Sequence, residues 1–260
     1  MIPFLPEEIK ALRDLANVWP DERMVLLGAS ALRCFLEMSW RTTEDLDLLV
    51  AASVADALAA LALLERWVQD PHREHRWRSG SGIAVDIVAA DEEAMTRGYI
   101  DWPRSGFRMT LLGMRLAFEH AVVLPIAADL DVRVAPLPAL AVMKIVAYLA
   151  DPGTREKDLG DLAAIMHGYA DDDSERRFSS EVPSEVTEFD DVGPFLLGRD
   201  VASIVNPEER RRISDFLAAI ENEDRGPQLL QRLAIRGPVS WRDPDTVLQR
   251  ILAFRRGIDQ

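Results

Sequence analysis

Short apolar runs alternate with amphipathic segments along the first half of the chain. Such runs are typical of buried strands, and apolar residues repeating every three or four positions are typical of helices. The predicted strands are 24–27, 46–50, 83–89, 107–112 and 130–134. The predicted helices are 7–18, 29–38, 53–68 and 91–97, with Ser53 and Asp91 as N-caps of the last two.

After Pro136 the pattern changes to helices only. These are predicted at 138–149, 154–167, 207–223, 227–235 and 243–255. Residues 170–191 contain nine acidic side chains, two arginines and few large apolar residues, which favours a mobile acidic loop. The fold class is therefore α+β, with a mixed sheet flanked by helices in residues 1–135 and a helical C-terminal domain in residues 136–260.

Composition narrows the class of protein. Hydrophobic residues make up 48% of 260 residues, enough for a sizeable core. The single cysteine, Cys34, excludes an intrachain disulfide framework and favours the cytoplasm. We expect neither a secretory signal nor a membrane partner, because no apolar stretch is long enough to span a bilayer. The net charge of -14 argues against a wholly basic nucleic-acid binder.

Two aspartates mark the start of the second predicted strand. Side chains alternate along a strand, so Asp45 and Asp47 face the same side. Two close carboxylates repel each other unless a cation lies between them, and Mg²⁺ prefers oxygen ligands. If the strand containing Asp86 is a neighbour, the three carboxylates form a cluster able to hold two metal ions. The alternatives are a solvated strand end and an Asp86 that is buried and satisfied by an arginine.

A turn of small residues precedes this cluster. Gly28 lets the backbone approach a ligand, and the predicted helix that begins at Ala29 offers amide groups to an anion. The Ser30 hydroxyl is a candidate donor to a phosphate oxygen. Gly28, Ala29 and Ser30 are therefore predicted to bind a nucleotide, the alternative being an ordinary strand-to-helix turn.

Together these motifs resemble the nucleotidyltransferase fold of the DNA polymerase β superfamily. Within it the chain is similar to the AbiEii/MenT group, the nucleotidyltransferase toxins of AbiE-type toxin–antitoxin systems. The resemblance covers residues 24–166, with Ala29 where the family commonly has a second glycine. The segments that carry it are "GASAL" (28–32), "RTTEDLDLLV" (41–50), "VDI" (85–87), "VMKIVAYL" (142–149) and "REKDLGDL" (155–162). It implies a nucleoside triphosphate (NTP) substrate, Mg²⁺, an RNA acceptor such as a tRNA 3′ end, and a cognate antitoxin.

Two of the three lysines in the chain lie close together in the C-terminal half. Lys144 interrupts an apolar helix, so it either extends to the surface or faces a polar cleft. The resemblance directs Lys144 to the triphosphate and gives Lys157 and Asp158 catalytic places at the rim of the site. The alternative for Lys157 is a surface ion pair with Asp161, four residues further along the helix.

The segment "HREHRWR" (72–78) concentrates arginines and an aromatic residue. We favour an exposed edge strand, in which charge discourages aggregation. The alternative is contact with an RNA backbone, with Trp77 or Trp102 stacking on a base and the patch extended by other arginines. Those arginines are Arg97, Arg104 and Arg108.

Three functions follow from the sequence. The first is metal-dependent transfer of a nucleoside monophosphate from an NTP to an RNA hydroxyl, with Asp45, Asp47 and Asp86 as metal ligands. The second keeps this chemistry but modifies a small molecule or a protein side chain, which suits the acidic charge. The third is a non-catalytic protein that binds a nucleotide or a partner.

Overall fold

A computed structural model describes residues 4–20, 23–37, 45–170 and 175–260. The chain divides into two units, Met1–Pro136 and Leu137–Gln260. The predicted division lies between residues 135 and 136. Part of the motif at 41–50, namely 41–44, lies outside the described residues, as does 171–174 of the acidic stretch. In the described part of the chain, no helix has the length and apolar character needed to cross a membrane.

The first unit contains nine strands and five helices within its described residues. The strands are β1 (Met24–Leu27), β2 (Asp45–Val50), β3 (Val68–Gln69), β4 (Arg76–Arg78), β5 (Ala84–Ala89), β6 (Tyr99–Asp101), β7 (Arg108–Thr110), β8 (Val122–Ala127) and β9 (Leu130–Val134). The helices are α1 (Pro6–Val18), α2 (Gly28–Leu32), α3 (Val54–Ala62), α4 (Glu92–Arg97) and α5 (Met114–Glu119).

Seven strands form one mixed sheet, in the order β3-β4-β5-β2-β1-β9-β8. The pairs β2–β5 and β1–β9 are parallel, and the other neighbours are antiparallel. All four residues of β1 are buried, whereas burial alternates along β5. The predicted mixed sheet is confirmed, and β2 lies in its interior between β1 and β5.

The two predicted N-caps are confirmed. Ser53 Oγ accepts a hydrogen bond from the Asp56 amide at 3.1 Å, and Asp91 Oδ1 accepts one from the Ala94 amide at 2.8 Å. Each such cap stabilises its helix by about 1 kcal/mol. These local contacts are why α3 and α4 begin where the sequence predicts.

Other boundaries differ from the prediction. Strand β7 is shorter than the predicted 107–112 and pairs with β6 in a separate two-stranded sheet. The predicted helix at 29–38 is helical only as far as Leu32 in its described part. Strand β8 was not predicted, because it is an edge strand with Val122 and Val123 exposed and Pro125 inside it. Edge strands tolerate proline, since one side of their backbone has no partner.

The second unit is helical throughout its described residues. Its helices are α6 (Leu137–Ala150), α7 (Glu156–Gly168), α8 (Phe189–Ile204), α9 (Pro207–Glu221), α10 (Gly226–Arg236) and α11 (Pro244–Ile258). Helix α8 was not predicted, because Gly193, Pro194 and Gly198 are poor helix formers. It forms because tertiary packing outweighs propensity: Phe195, for example, is fully buried.

The predicted acidic loop is wrong in part. Residues Glu175–Phe178 form a 3₁₀ turn, and α8 already begins at Phe189. Val186 packs in a buried cluster with residues of α8, so this stretch contributes to the core. Two of its acidic side chains also pair with a cation elsewhere in the unit, since Arg250 contacts Asp191 at 2.5 Å and Asp190 at 3.1 Å.

Candidate active site

The three predicted metal ligands lie on neighbouring strands of the sheet. Asp47 of β2 is the register partner of Asp86 of β5, with the two strands parallel. Asp45 is two residues before Asp47 and therefore shares its face of the sheet. Leu46, between them, is fully buried on the opposite face. The condition for a three-carboxylate cluster, that the strand with Asp86 is a neighbour of β2, is met.

Gly28 shapes the position of Asp47. Leu27, the last residue of β1, is the register partner of Asp47, and Gly28 follows it with φ +61°. A Cβ built on Gly28 would lie 2.0 Å from Asp47 Oδ2 and 2.7 Å from its Cγ. The Asp47 carboxylate thus packs directly against the Gly28 Cα, an approach that no other residue type allows.

The rest of the small-residue turn is engaged within the fold. Ser30 is fully buried, and its Oγ donates a hydrogen bond to the Asp45 carbonyl oxygen at 2.8 Å. Ala29 is buried as well. The Ser30 hydrogen bond therefore links α2 to the start of β2. Phosphate binding by Gly28, Ala29 and Ser30 stays a prediction, and the Ser30 hydroxyl would have to leave Asp45 to donate to a phosphate.

An arginine that the sequence analysis placed elsewhere completes the acidic site. Arg76 of β4 donates from Nε to Asp86 Oδ1 at 2.7 Å and from Nη2 to Asp86 Oδ2 at 2.6 Å. The same Nη2 lies 2.8 Å from Asp45 Oδ2. Hydrogen bonds with Asp86, and then the negative charges of Asp86 and Asp45, raise the pKa of Arg76 above its usual value. Arg76 thus offsets part of the negative charge of Asp45 and Asp86.

The geometry decides which residues fit a divalent cation. In the described part of the chain, no group of three or more His, Cys, Asp or Glu residues is arranged to hold a metal ion. At this site, both oxygens of Asp86 accept hydrogen bonds from Arg76. Asp45 and Asp47 have the kind of oxygen donor that Mg²⁺ prefers. One oxygen of Asp45 accepts a hydrogen bond from Arg76, whereas both oxygens of Asp86 do.

Neither the edge strand nor the RNA-contacting patch considered for the segment "HREHRWR" is supported. Strand β4 lies between β3 and β5, so it is not an edge strand. Trp77 and Trp102 are 4% and 2% exposed and present no face for a base to stack on. Two of the proposed RNA-contacting arginines are paired with acids: Arg108 with Asp101 at 2.8 Å, and Arg97 with Glu93 at 3.5 Å.

A second polar cluster occupies the helical unit. Lys144 of α6 is 11% exposed, and its Nζ lies 2.8 Å from Asp158 Oδ1 and 2.7 Å from Asp161 Oδ2 of α7. Both aspartates are 1% exposed. The surface position considered for Lys144 is wrong, and so is the surface ion pair considered for Asp161. Lys157 is exposed, near the start of α7.

This buried cluster keeps the side chain of Lys144 charged. Burial acts to lower the pKa of Lys144, but Asp161 and Asp158 outweigh it and raise that pKa, so the ammonium stays charged. One ammonium faces two carboxylates. Within the described structure, Asp158 Oδ2 is buried without a hydrogen-bond partner, and it forms an ion pair with Arg155 Nη1 at 3.9 Å. Burying an oxygen without a hydrogen-bond donor costs free energy, so a further donor or cation beside Asp158 Oδ2 would stabilise the folded protein.

Two members of these clusters were missed or given another role by the sequence analysis. Arg76 was assigned to an edge strand or an RNA contact, although an arginine partner for Asp86 was considered. Asp161 was treated as a surface residue. The only signal for Asp161 was its spacing of three residues from Asp158, which places both on one helix face.

Comparison with protein families gives a match over most of the chain. The family model of the AbiEii nucleotidyltransferase toxins of type IV toxin–antitoxin systems matches residues 10–234. No curated protein matches the chain.

Two solved structures from Helicobacter pylori are similar to this chain. JHP933 shares 14% identity with a TM-score of 0.41, over 96% of this chain and 90% of that one. A candidate nucleotidyltransferase shares 13% identity with a TM-score of 0.39, over 97% of this chain and 93% of that one. TM-scores this low carry no argument about function, so the assignment depends on the family model.

Proposed function

Because the chain belongs to the AbiEii family of nucleotidyltransferase toxins of type IV toxin–antitoxin systems, we propose that Asp45 and Asp47 hold Mg²⁺ for this chemistry. A nucleoside monophosphate moves from an NTP to an acceptor hydroxyl, and pyrophosphate leaves. The observation that carries the proposal is the pair of carboxylates on one face of β2, with Asp47 packed against Gly28. Bound Mg²⁺ would neutralise and orient the phosphates.

The fold holds these two carboxylates in fixed positions. Asp47 is held by the β1–β2 and β2–β5 ladders, and the Asp45 carbonyl is tied to Ser30. Side chains positioned on strands are held more precisely than those on loops, which matters because misplacement by about 1 Å can cost about 100-fold in rate. Asp86 is left out of the proposed ligand pair, since Arg76 occupies both of its oxygens.

We assign Lys144 to the triphosphate on the strength of the family resemblance. Its ammonium is charged and already held by two aspartates. In the same proposal, Asp158 holds Lys144 in position, and Lys157 adds positive charge at the surface. A compact ammonium suits a single phosphate group.

The proposed acceptor is RNA, with a cognate antitoxin opposing the toxin in the cytoplasm. The acidic charge of -14 favours a second candidate, a small cationic molecule or a protein side chain. Incubation with each α-³²P-labelled NTP and total RNA, small cationic acceptors or cell protein separates these acceptors. Label in RNA supports the first, and label only in the other fractions supports the second.

The double variant Asp45→Asn, Asp47→Asn tests whether the protein is catalytic at all. We expect loss of all labelling and of growth inhibition, while the variant keeps the wild-type circular dichroism spectrum. Growth inhibition that persists in a folded double variant would contradict the enzymatic proposal and favour a binding protein.

A further inference from the structure

Arg76 spans three strands at the acidic site. It belongs to β4 and donates two hydrogen bonds to Asp86 of β5, from Nε and Nη2, and its Nη2 also donates to Asp45 of β2. The three side chains are 25%, 18% and 30% exposed, so the contacts are partly shielded from water. A guanidinium that grips a carboxylate at two points makes strong, charge-assisted hydrogen bonds.

The backbone fixes this arrangement. Arg76 is the register partner of Asp86 on one side, and Asp47 is the partner of Asp86 on the other. If the guanidinium moved away, Asp86 would be left as an unpaired carboxylate in an apolar strand whose neighbours Val85 and Ile87 are buried. Arginine also cannot neutralise itself by losing a proton in proteins. Arg76 is therefore a permanent positive charge at this position.

We propose that Arg76 is a built-in cation that replaces the second metal ion of the site. It withdraws Asp86 from metal binding and neutralises part of Asp45, so that one divalent cation binds, at Asp45 and Asp47. Arg76 is thus a positioning residue for the carboxylates. This inference rests on the proposed metal-binding role of Asp45 and Asp47, and it replaces the two-ion site expected from the sequence.

Binding of Mn²⁺, followed by electron paramagnetic resonance without nucleotide, tests the proposal. We expect one Mn²⁺ per wild-type chain. In Arg76→Gln, Asp86 becomes available and a like charge is removed, so we expect about tenfold tighter binding and a second Mn²⁺ at saturation. Arg76→Lys keeps the charge and should still bind one ion. Arg78→Gln is the matched control on β4, because Arg78 donates to the Gly82 carbonyl and not to the acids.

Two Mn²⁺ in the wild type, or unchanged binding in a folded Arg76→Gln, would overturn the proposal. Asp86→Asn gives a second test that does not require Arg76→Gln to fold: one ion should still bind, and loss of binding would show that Asp86 is a ligand. Asp47→Asn distinguishes a failure of the Arg76 proposal from a failure of the proposed metal site. If the wild type binds one ion that Asp47→Asn abolishes, the metal site stands whatever Arg76 does. If none of these proteins binds Mn²⁺, both proposals fail.

Discussion

At the scale of single residues, the acidic site depends on a glycine and an arginine as much as on its aspartates. Gly28 has no side chain, and this absence makes room for the carboxylate of Asp47. Arg76 compensates the charge of Asp45 and Asp86. Placing several carboxylates on one sheet face is stable only when their mutual repulsion is offset in this way.

Gly28→Ala is predicted to disable the site. The new Cβ overlaps Asp47, and φ +61° already costs a residue other than glycine about 1–2 kcal/mol. We expect activity to fall by about 100-fold or more, because Asp47 must move. Nucleotide-transfer assays and thermal unfolding measure the two effects. Gly106→Ala is the control: it has φ +66° and no atom within 4 Å of a new Cβ, so it should share only the backbone cost.

Lys144→Met is predicted to destabilise the helical unit by about 3–5 kcal/mol, because two buried carboxylates lose their counter-ion. Burial acts to lower the folded-state pKa of Lys144, but the charges of Asp161 and Asp158 outweigh it and raise that pKa above its ordinary value of 10.5. Its contribution is therefore fully present below pH 10.5 and is lost as the pH rises through the higher folded-state value. Thermal unfolding of both proteins should show a constant difference up to about pH 10 and a smaller one above it. A difference that grows with pH would contradict this assignment.

At the scale of elements, the order of the strands brings the site together and two glycines let α8 and α11 cross closely. A Cβ on Gly198 would lie 2.1 Å from the Phe254 carbonyl oxygen, and one on Gly257 would lie 2.1 Å from that of Phe195. Close backbone approach lets the flanking phenylalanines, both fully buried, fill the space between the helices. Gly198, which weakens α8 as an isolated helix, thus allows it to pack closely against α11.

Gly198→Ala is predicted to lower the free energy of unfolding by about 1–3 kcal/mol, because the two helices must separate to admit a methyl group. Chemical denaturation gives this value directly. Gly153→Ala provides the comparison, since the nearest atom to its new Cβ is 3.7 Å away, and its change should stay within about 0.5 kcal/mol. Equal effects of the two substitutions would rule out a close crossing.

At the scale of the whole molecule, the chain consists of two units that each contain a hydrophobic core. Leu26, Leu48 and Val85 are buried in the first unit, and Phe216 and Trp241 in the second. A unit of this size with its own core is expected to fold independently. Each aspartate cluster contains a cation that offsets part of its negative charge.

We therefore predict that residues 137–260 expressed alone are helical and unfold in one cooperative transition. Circular dichroism with thermal unfolding measures both properties. A fragment of residues 156–260 is the comparison: it lacks α6, so Asp158 and Asp161 lose Lys144, and we expect it to be less stable or unfolded. Absence of a cooperative transition in the longer fragment would contradict the division into two units.

The sequence by itself determined the properties that depend on near neighbours. Hydrophobic periodicity located β1, β2 and β5, side-chain chemistry located the caps Ser53 and Asp91, and strand alternation placed Asp45 and Asp47 on one face. These features depend on a few adjacent residues, whose spacing is visible in the chain. The family follows from the same short motifs.

Only the tertiary structure decided which distant groups meet. The partner of Asp86 is Arg76, ten residues away across β4 and β5, and the partners of Lys144 are two aspartates on the next helix. Helix α8 likewise forms against its local propensity, because packing with α11 stabilises it. Register and helix packing are set by the sum of many non-local contacts, so a pattern of neighbouring residues does not specify which cation neutralises which carboxylate.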